Sequence, residues 1–463
     1  MTRPRRLRGV AIVVHNIDAV GGMERQASRL AERLAARQIP VTIVTTYLEP
    51  NLRLPPRSTR PWYEKRGSIE IVRVPLFRNW TLRAIQDLID VVGTYALMRR
   101  RRKVDVIYGV QYTGGFHAAN MARATGMPTA VKFACGGEPG DFRALARLED
   151  AEAILAALRR MDRYVLISEE IRAEAEDAGM DPSRFVRIRN GVDTQRFSPE
   201  GLAAALPELG AAPDRKVILF VGRHDPQKRI DVLLRAFKQV LESVPEARLA
   251  LAGDGAHLEE YRKLAVELGV ADRAAFLGAR PDVPDLHRAA SVFVLPSGAE
   301  GLPNALLEAL ACGTPSVATA IPGTTEVASH EKEALLVPVD DADALAAALV
   351  RLLRDRDLAA RLGRAGRARI MAEFDMDGVT ERYADLFLEL ARSATPHVNL
   401  SSYLALQVGF VQTMAHLFWR LGRFFVAISV MHARDATTAV VVRAKALLGI
   451  QGDILPKRRA LQG

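Results

Sequence analysis

From residue 10 to about residue 390, short apolar runs rich in β-branched residues alternate with helical stretches, and they do so in two series. The first series reads "GVAIVVH", "VTIVTT", "VDVIYGV", "PTAVKFA" and "RYVLIS", with amphipathic stretches such as 23–38 and 81–102 between several of the runs. The second begins at Lys216 and reads "KVILFVG", "ARLALAG", "RAAFLG", "SVFVLP" and "PSVAT". Alternation of this kind is the pattern of parallel α/β domains. Between the two series lies "NGVDTQRFSPEGLAAALPELGAAPD", punctuated by proline and glycine as connectors are. A chain of 463 residues is too long for one ordinary core and suits two domains with additions. The expected fold class is therefore α/β, with two Rossmann-like doubly wound domains facing a cleft. Residues 1–195 are assigned to the first domain and 196–374 to the second. Ligands in such sheets bind beyond the carboxyl ends of the strands, so the loops just after strands are where chemistry is expected.

The formal net charge of +10 favours phosphate-bearing partners, namely nucleotides, nucleic acid or anionic lipid, or else marks an arginine-rich surface with no partner. The two cysteines, Cys135 and Cys312, are too few for a disulfide framework and fit a reducing cytosol. The opening "MTRPRRLRGVAIVVHN" is basic and then briefly apolar; the run is too short for a signal peptide and reads as a first strand. The tail, 396–463, is different. Within 404–430, Phe410, Met414, Leu417, Leu421, Phe424 and Ile428 recur at helical spacing, which predicts an amphipathic helix. Arg420 and Arg423 argue against a membrane span. Such a helix lies in a membrane interface or covers an apolar strip on its own protein or a partner.

Three stretches carry chemistry. In "VLPSGAEGLPNALLEALACGTP" a strand ends at Pro296, Pro303 suits the first turn of a helix, and Gly313 and Pro315 stop that helix. The segment Gly301, Leu302, Pro303, Asn304 then offers backbone N–H groups at a positive helix end, a seat for diphosphate. Glu308, just over a turn inside, would repel phosphate but suits a hydroxyl donor such as a ribose diol. Glu300, before the helix, faces the other end of the ligand. The pair predicts a nucleotide sugar; the competing reading of Glu308 is a solvated surface glutamate. In "VGRHDPQKRIDVLLRAF", Arg223 and Lys228 flank a strand–loop–helix turn and are placed to clamp a diphosphate and stabilise it as it leaves. In "HNIDAVGGMERQASRLAERL", Gly21 and Gly22 lie between the first strand and a helix, where backbone can approach a ligand closely.

Together these motifs resemble the retaining glycosyltransferases of family 4, which have the GT-B fold. The correspondence includes the glycine pair with Glu24, "IRNGVDTQRF" at Ile188–Phe197, "VGRHDPQKR", "LAGDG" at Leu251–Gly255, "FLG" at Phe276–Gly278, and the Glu-x7-Glu motif of Glu300 and Glu308. The resemblance implies that the C-terminal domain binds the nucleotide sugar, UDP- or GDP-linked, and that Arg223 and Lys228 hold the diphosphate while Glu308 holds the ribose. Glu300 would sit near the transferred sugar and form the catalytic set with Arg223 and Lys228. Gly22 would join the donor contacts, and Arg280 would flank the base. The N-terminal domain would hold a glycan or polyprenyl-linked acceptor, with Gly21 on that side. Residues 375–395 would return as a helix to the N-terminal domain. One departure stands out. Many family members carry a histidine after the strand that here reads "AVKFACGGEPGDF", whereas this chain has Ala134, Cys135 and Gly136. His117 is one candidate to replace it, against a capping or packing role. Lys132, Glu138 and Asp141 are further candidates for acceptor contacts.

The resemblance also implies retention of anomeric configuration, with the departing phosphate taking the acceptor proton and no side chain as general base. No metal and no cofactor are expected. The strings Asp341–Asp343 and Asp375–Asp377 precede helical stretches and read as caps. The run "RRRRK" at 99–103, the basic N-terminus and the apolar tail would bind an anionic membrane surface, or the run is simply a solvated helix end. No nucleic acid partner is expected. The implied setting is cytoplasmic, peripheral on the inner face of the cell membrane, in envelope or exported polysaccharide synthesis. Alternatives on the same fold are an epimerase, a phosphorylase or a nucleotide-sugar-binding scaffold without transfer.

Overall fold

A computed structural model describes residues 6–17, 22–49, 63–77, 82–100, 103–136, 140–209 and 216–393. Gly21, Glu138, the middle of the 99–103 run and the whole tail 396–463, with its expected helix over 404–430, lie outside the described residues.

The N-terminal sheet has eight strands: β1 (Val10–Val14), β2 (Val41–Glu49), β3 (Tyr63–Arg66), β4 (Ile69–Phe77), β5 (Val106–Val110), β6 (Thr129–Phe133), β7 (Arg163–Leu166) and β8 (Phe185–Arg187). They lie in the order β3-β4-β2-β1-β5-β6-β7-β8, and every pairing is parallel except β3 with β4. The C-terminal sheet has six parallel strands: β9 (Lys216–Val221), β10 (Ala247–Ala252), β11 (Ala274–Gly278), β12 (Val292–Leu295), β13 (Ser316–Thr319) and β14 (Leu335–Val337), in the order β11-β10-β9-β12-β13-β14. Central strands are apolar throughout because helices cover both faces. All of Val10–Val14 is buried, as is all of Val292–Leu295.

Each sheet reverses direction once. From β1 the chain builds β2 and β4 on one flank and then β5 on the other; from β9 it builds β10 and β11, then β12. Such a switch leaves a crevice beyond the strand ends, between β1 and β5 in one domain and between β9 and β12 in the other. The helices expected over 23–38 and 81–102 are Gly22–Ala36 and Leu82–Arg99. The strands β3, β4, β8 and β14 were not foreseen. In β4, Arg73 is only 2% exposed and pairs with Glu64 of β3 at 2.8 Å, so a buried cation hides the apolar signature of that strand.

The chain crosses between the domains twice, and the crossings touch. Val192 N–H donates to Phe374 O and Met376 N–H donates to Val192 O, each at 2.9 Å. The last described helix, Met376–Ser393, packs on the N-terminal sheet. Tyr383 and Phe387 each place a ring 5.4 Å from that of Tyr108 in β5, and the Tyr108 hydroxyl donates to that of Tyr383 at 3.0 Å.

Candidate active site

The crevice between β9 and β12 gathers the C-terminal candidates. The turn Pro226–Lys228 follows β9, and the helix Asn304–Ala311 follows β12 with Pro303 at its N-cap. Gly298 N–H donates to Gln227 O at 2.8 Å and the Gln227 amide donates to Ala299 O at 2.7 Å, tying the two loops together. Arg229 closes the turn at φ 51°, a left-handed conformation unfavourable for a side-chain-bearing residue. The turn directs Lys228 across the crevice, where its ammonium pairs with Glu300. Ser297 Oγ donates to the same Glu300 Oε1 at 2.7 Å.

Among the described residues, no acceptor is recorded for the backbone N–H groups of Gly301, Leu302 and Asn304. Asn304 N–H is an orphan donor of the helix start, where the dipole also favours an anion, and the N–H groups of Gly301 and Leu302 lie in the loop just before the N-cap. Gly301 is required there by contact: a Cβ would lie 2.4 Å from the carbonyl oxygen of Ala134, across the cleft. Arg223 is exposed, and its side chain lies 3.3 Å from Asp225. Arg280 is held bidentately by Asp282, at 2.8 and 2.6 Å. Glu308 is not a solvated surface glutamate. It is 5% exposed, and its Oε1 lies 3.1 Å from Nη2 of Arg29, on the Gly22–Ala36 helix of the other domain.

The two domains meet at this helix tip. Asn304 Oδ1 accepts from Gln26 Nε2 at 2.9 Å and from Asn190 Nδ2 at 3.3 Å. Asn304 Nδ2 donates to Gly22 O at 3.4 Å. Asn190 Oδ1 in turn accepts from Lys132 at 2.7 Å. Gln26, Arg29 and Asn190 escaped the sequence reading. The one available signal was the spacing of Gly22, Gln26 and Arg29 at i, i+4 and i+7, which puts them on one helix face.

The described acceptor-side candidates, His117, Lys132 and Asp141, are dispersed, and their side chains have structural partners. Lys132 is buried beneath the Tyr383 ring, 5.9 Å from its centroid, and burial lowers its pKa to about 7. Asp141 is buried and accepts from the N–H groups of Ala134, Cys135 and Tyr112 at 2.9, 3.2 and 3.2 Å. Its carboxyl is pushed up to about 6, chiefly by burial and against those hydrogen bonds. His117 Nδ1 contacts Asp90 Oδ1 at 2.7 Å, and Asn120 holds the other carboxylate oxygen at 2.7 Å, joining two helices. Cys135, in the segment where the resemblance led to a histidine, has a thiol pushed up to about 12 by burial, which suppresses thiolate chemistry.

Among the described residues, no group of three or more His, Cys, Asp or Glu side chains has metal-binding geometry. Asp341 caps the helix Ala342–Arg354 through Ala344 N–H at 2.9 Å, and Asp375 accepts from Asp377 N–H at 3.0 Å. In the basic run, Arg100 is paired with Glu70 and Arg99 lies 5.9 Å from the Tyr95 ring centroid. No helix among the described residues is long and apolar enough to cross a membrane.

Two facing doubly wound domains, with a helix tip presented to the cleft, define the GT-B architecture. Residues 204–369 match the family model of glycosyl transferases group 1, and 21–191 match that of the glycosyl transferase 4-like domain. The chain is 30% identical over 424 residues to a D-inositol 3-phosphate glycosyltransferase of Acidothermus cellulolyticus, covering 85% of this chain and 93% of that one. It belongs to glycosyltransferase family 4. It is 28% identical to the Escherichia coli UDP-Gal:alpha-D-GlcNAc-diphosphoundecaprenol alpha-1,3-galactosyltransferase, over 70% of this chain and 84% of that one. A Mycobacterium tuberculosis GDP-mannose-dependent alpha-(1-6)-phosphatidylinositol monomannoside mannosyltransferase is 37% identical over 50% of this chain and 63% of its own length. Among solved structures, sucrose-phosphate synthase of Thermosynechococcus elongatus superposes with a TM-score of 0.69 at 24% identity, over 84% of this chain and all of that one. Anabaena HepE, solved in complex with UDP-glucose, gives 0.64 at 18% identity, over 82% and 98%. These two similarities carry the fold.

Proposed function

We propose that this chain transfers a sugar, with retention of configuration, from a UDP- or GDP-linked donor to a glycan or polyprenyl-linked glycan at the inner face of the cell membrane. The observation that carries the reading is the convergence, in one crevice, of three N–H groups at and before the helix start with no acceptor among the described residues, the Lys228–Glu300 pair and the buried Glu308. In this reading the diphosphate lies on the N–H groups of Gly301, Leu302 and Asn304, with Gly22 close by. Arg223 swings in beside Lys228 to offset the charge that grows on the leaving phosphate. Glu308 accepts the ribose hydroxyls. Glu300, oriented by Ser297 and Lys228, meets the transferred sugar, and Arg280 lies by the base. The bond from the anomeric carbon to phosphate oxygen breaks, the acceptor hydroxyl attacks on the face being vacated, and the departing phosphate oxygen takes its proton. The protein supplies orientation and charge stabilisation, without a side-chain base or a metal. The acceptor reading draws support from relatives whose names specify lipid-linked substrates.

Thermal-shift screening against UDP, GDP, ADP and their sugars tests the donor assignment, since selective binding raises the melting temperature by mass action. One diphosphate series is expected to stabilise the chain selectively. NMR of the transferred anomer tests the stereochemistry: the donor's configuration is expected in the product, and the inverted anomer would overturn the retaining reading.

A further inference from the structure

Arg29 lies in the glycine-pair stretch but was given no role there, yet it is the only ion-pair partner of Glu308 among the described residues. It comes from the opposite domain, at the third contact of a matched pair of helix faces. Gly22, Gln26 and Arg29 form one face of the helix Gly22–Ala36; Asn304 and Glu308 form one face of the helix Asn304–Ala311. Gly22 meets Asn304, Gln26 meets Asn304, and Arg29 meets Glu308 in sequence order. The guanidinium also lies 5.7 Å from the ring centroid of Phe197, in the connector. The side chains of Arg29 and Glu308 are only 17% and 7% exposed, so salt and water screen the pair weakly.

We infer that Arg29 is a positioning residue for the donor ribose: it fixes the Glu308 carboxylate from across the cleft through Oε1 and leaves Oε2 to the sugar diol. The inference rests on the proposed ribose role of Glu308. A carboxylate that takes a charge-assisted hydrogen bond on one oxygen is held in orientation, so the ribose meets a preset acceptor. The ribose site is then complete only in the domain arrangement seen here. Nucleotide affinity depends on a residue of the acceptor-side domain, and by linkage a bound nucleotide favours closure.

Calorimetry on the full chain with UDP, GDP and inorganic pyrophosphate tests this. Pyrophosphate reports the phosphate seat alone; the nucleotides report seat and ribose together. Arg29→Ala is expected to weaken the tighter nucleotide about tenfold, the scale of a lost hydrogen bond to a charged group, while pyrophosphate binding stays within about twofold of wild type. Arg29→Lys, which keeps the charge but loses the planar fork, recovers part of the affinity. On a Glu308→Gln background, Arg29→Ala adds less than about twofold, because both act through one contact. Equal losses for nucleotide and pyrophosphate, or an undiminished Arg29→Ala effect without Glu308, would overturn the inference and leave the ribose reading standing. Wild-type nucleotide affinity in Glu308→Gln would overturn the ribose reading and this inference with it.

Discussion

Lys132 is buried with no carboxylate partner among the described residues, held by the Asn190 side chain and the Tyr383 ring. That placement has a pH signature. Its pKa in the fold is lowered from the usual 10.5 to about 7, because burial disfavours the ammonium. Between those two values the unfolded chain binds a proton that the folded chain does not, so stability rises with pH across that window. Below about pH 7 both states carry the proton and the cost of burying it is present in full. Lys132→Met is therefore expected to flatten the melting-temperature profile between pH 7 and 10. Parallel profiles for variant and wild type would show that Lys132 stays charged inside the fold. The same residue shows how far side-chain identity reads from sequence. A lysine near the carboxyl end of a strand suggests a ligand contact; that it points inward under a returning helix depends on Tyr383, more than two hundred positions away.

At the scale of elements, the helix Asn304–Ala311 is where sequence and structure agree most closely. Its start at proline, its stop at glycine and its apolar face are local signals, so they read directly. What Glu308 faces did not read, because Arg29 reaches it through a packing of two helices from different domains. The strand β4 was lost for a related reason: the partner that neutralises buried Arg73 sits on the adjacent edge strand, β3. Gly301 tests the element as a unit. Its missing Cβ lets the helix tip approach Ala134 O, and a methyl group there would sit 2.4 Å from that oxygen. Gly301→Ala is expected to push the tip and the N-terminal domain apart and lower kcat by about a hundredfold, as misplacements of about an ångström do. The melting temperature changes little, because the clash lies across the cleft and not in either core. Unchanged turnover would mean that the approach at Ala134 is not needed for transfer.

At the scale of the whole molecule, two series of strands separated by a connector sufficed to read two doubly wound domains, since each series carries its own period. The reversals that place the crevices follow from topology, and the crossing at Val192 and Phe374 from pairing between distant segments. The proposed membrane attachment belongs to this scale too. Arg100 is engaged with Glu70, and truncation tests the tail. A chain ending at Pro396 is expected to lose flotation with anionic liposomes that the full chain retains; equal flotation would remove the tail from the account. The central claim is that a helix tip seats the donor's diphosphate while Glu308 takes its ribose. A crystal structure of the chain with bound UDP or GDP measures this directly. The account predicts phosphate oxygens on the N–H groups of Gly301, Leu302 and Asn304, and ribose hydroxyls on Glu308. A nucleotide bound elsewhere, with that tip unliganded, would contradict it.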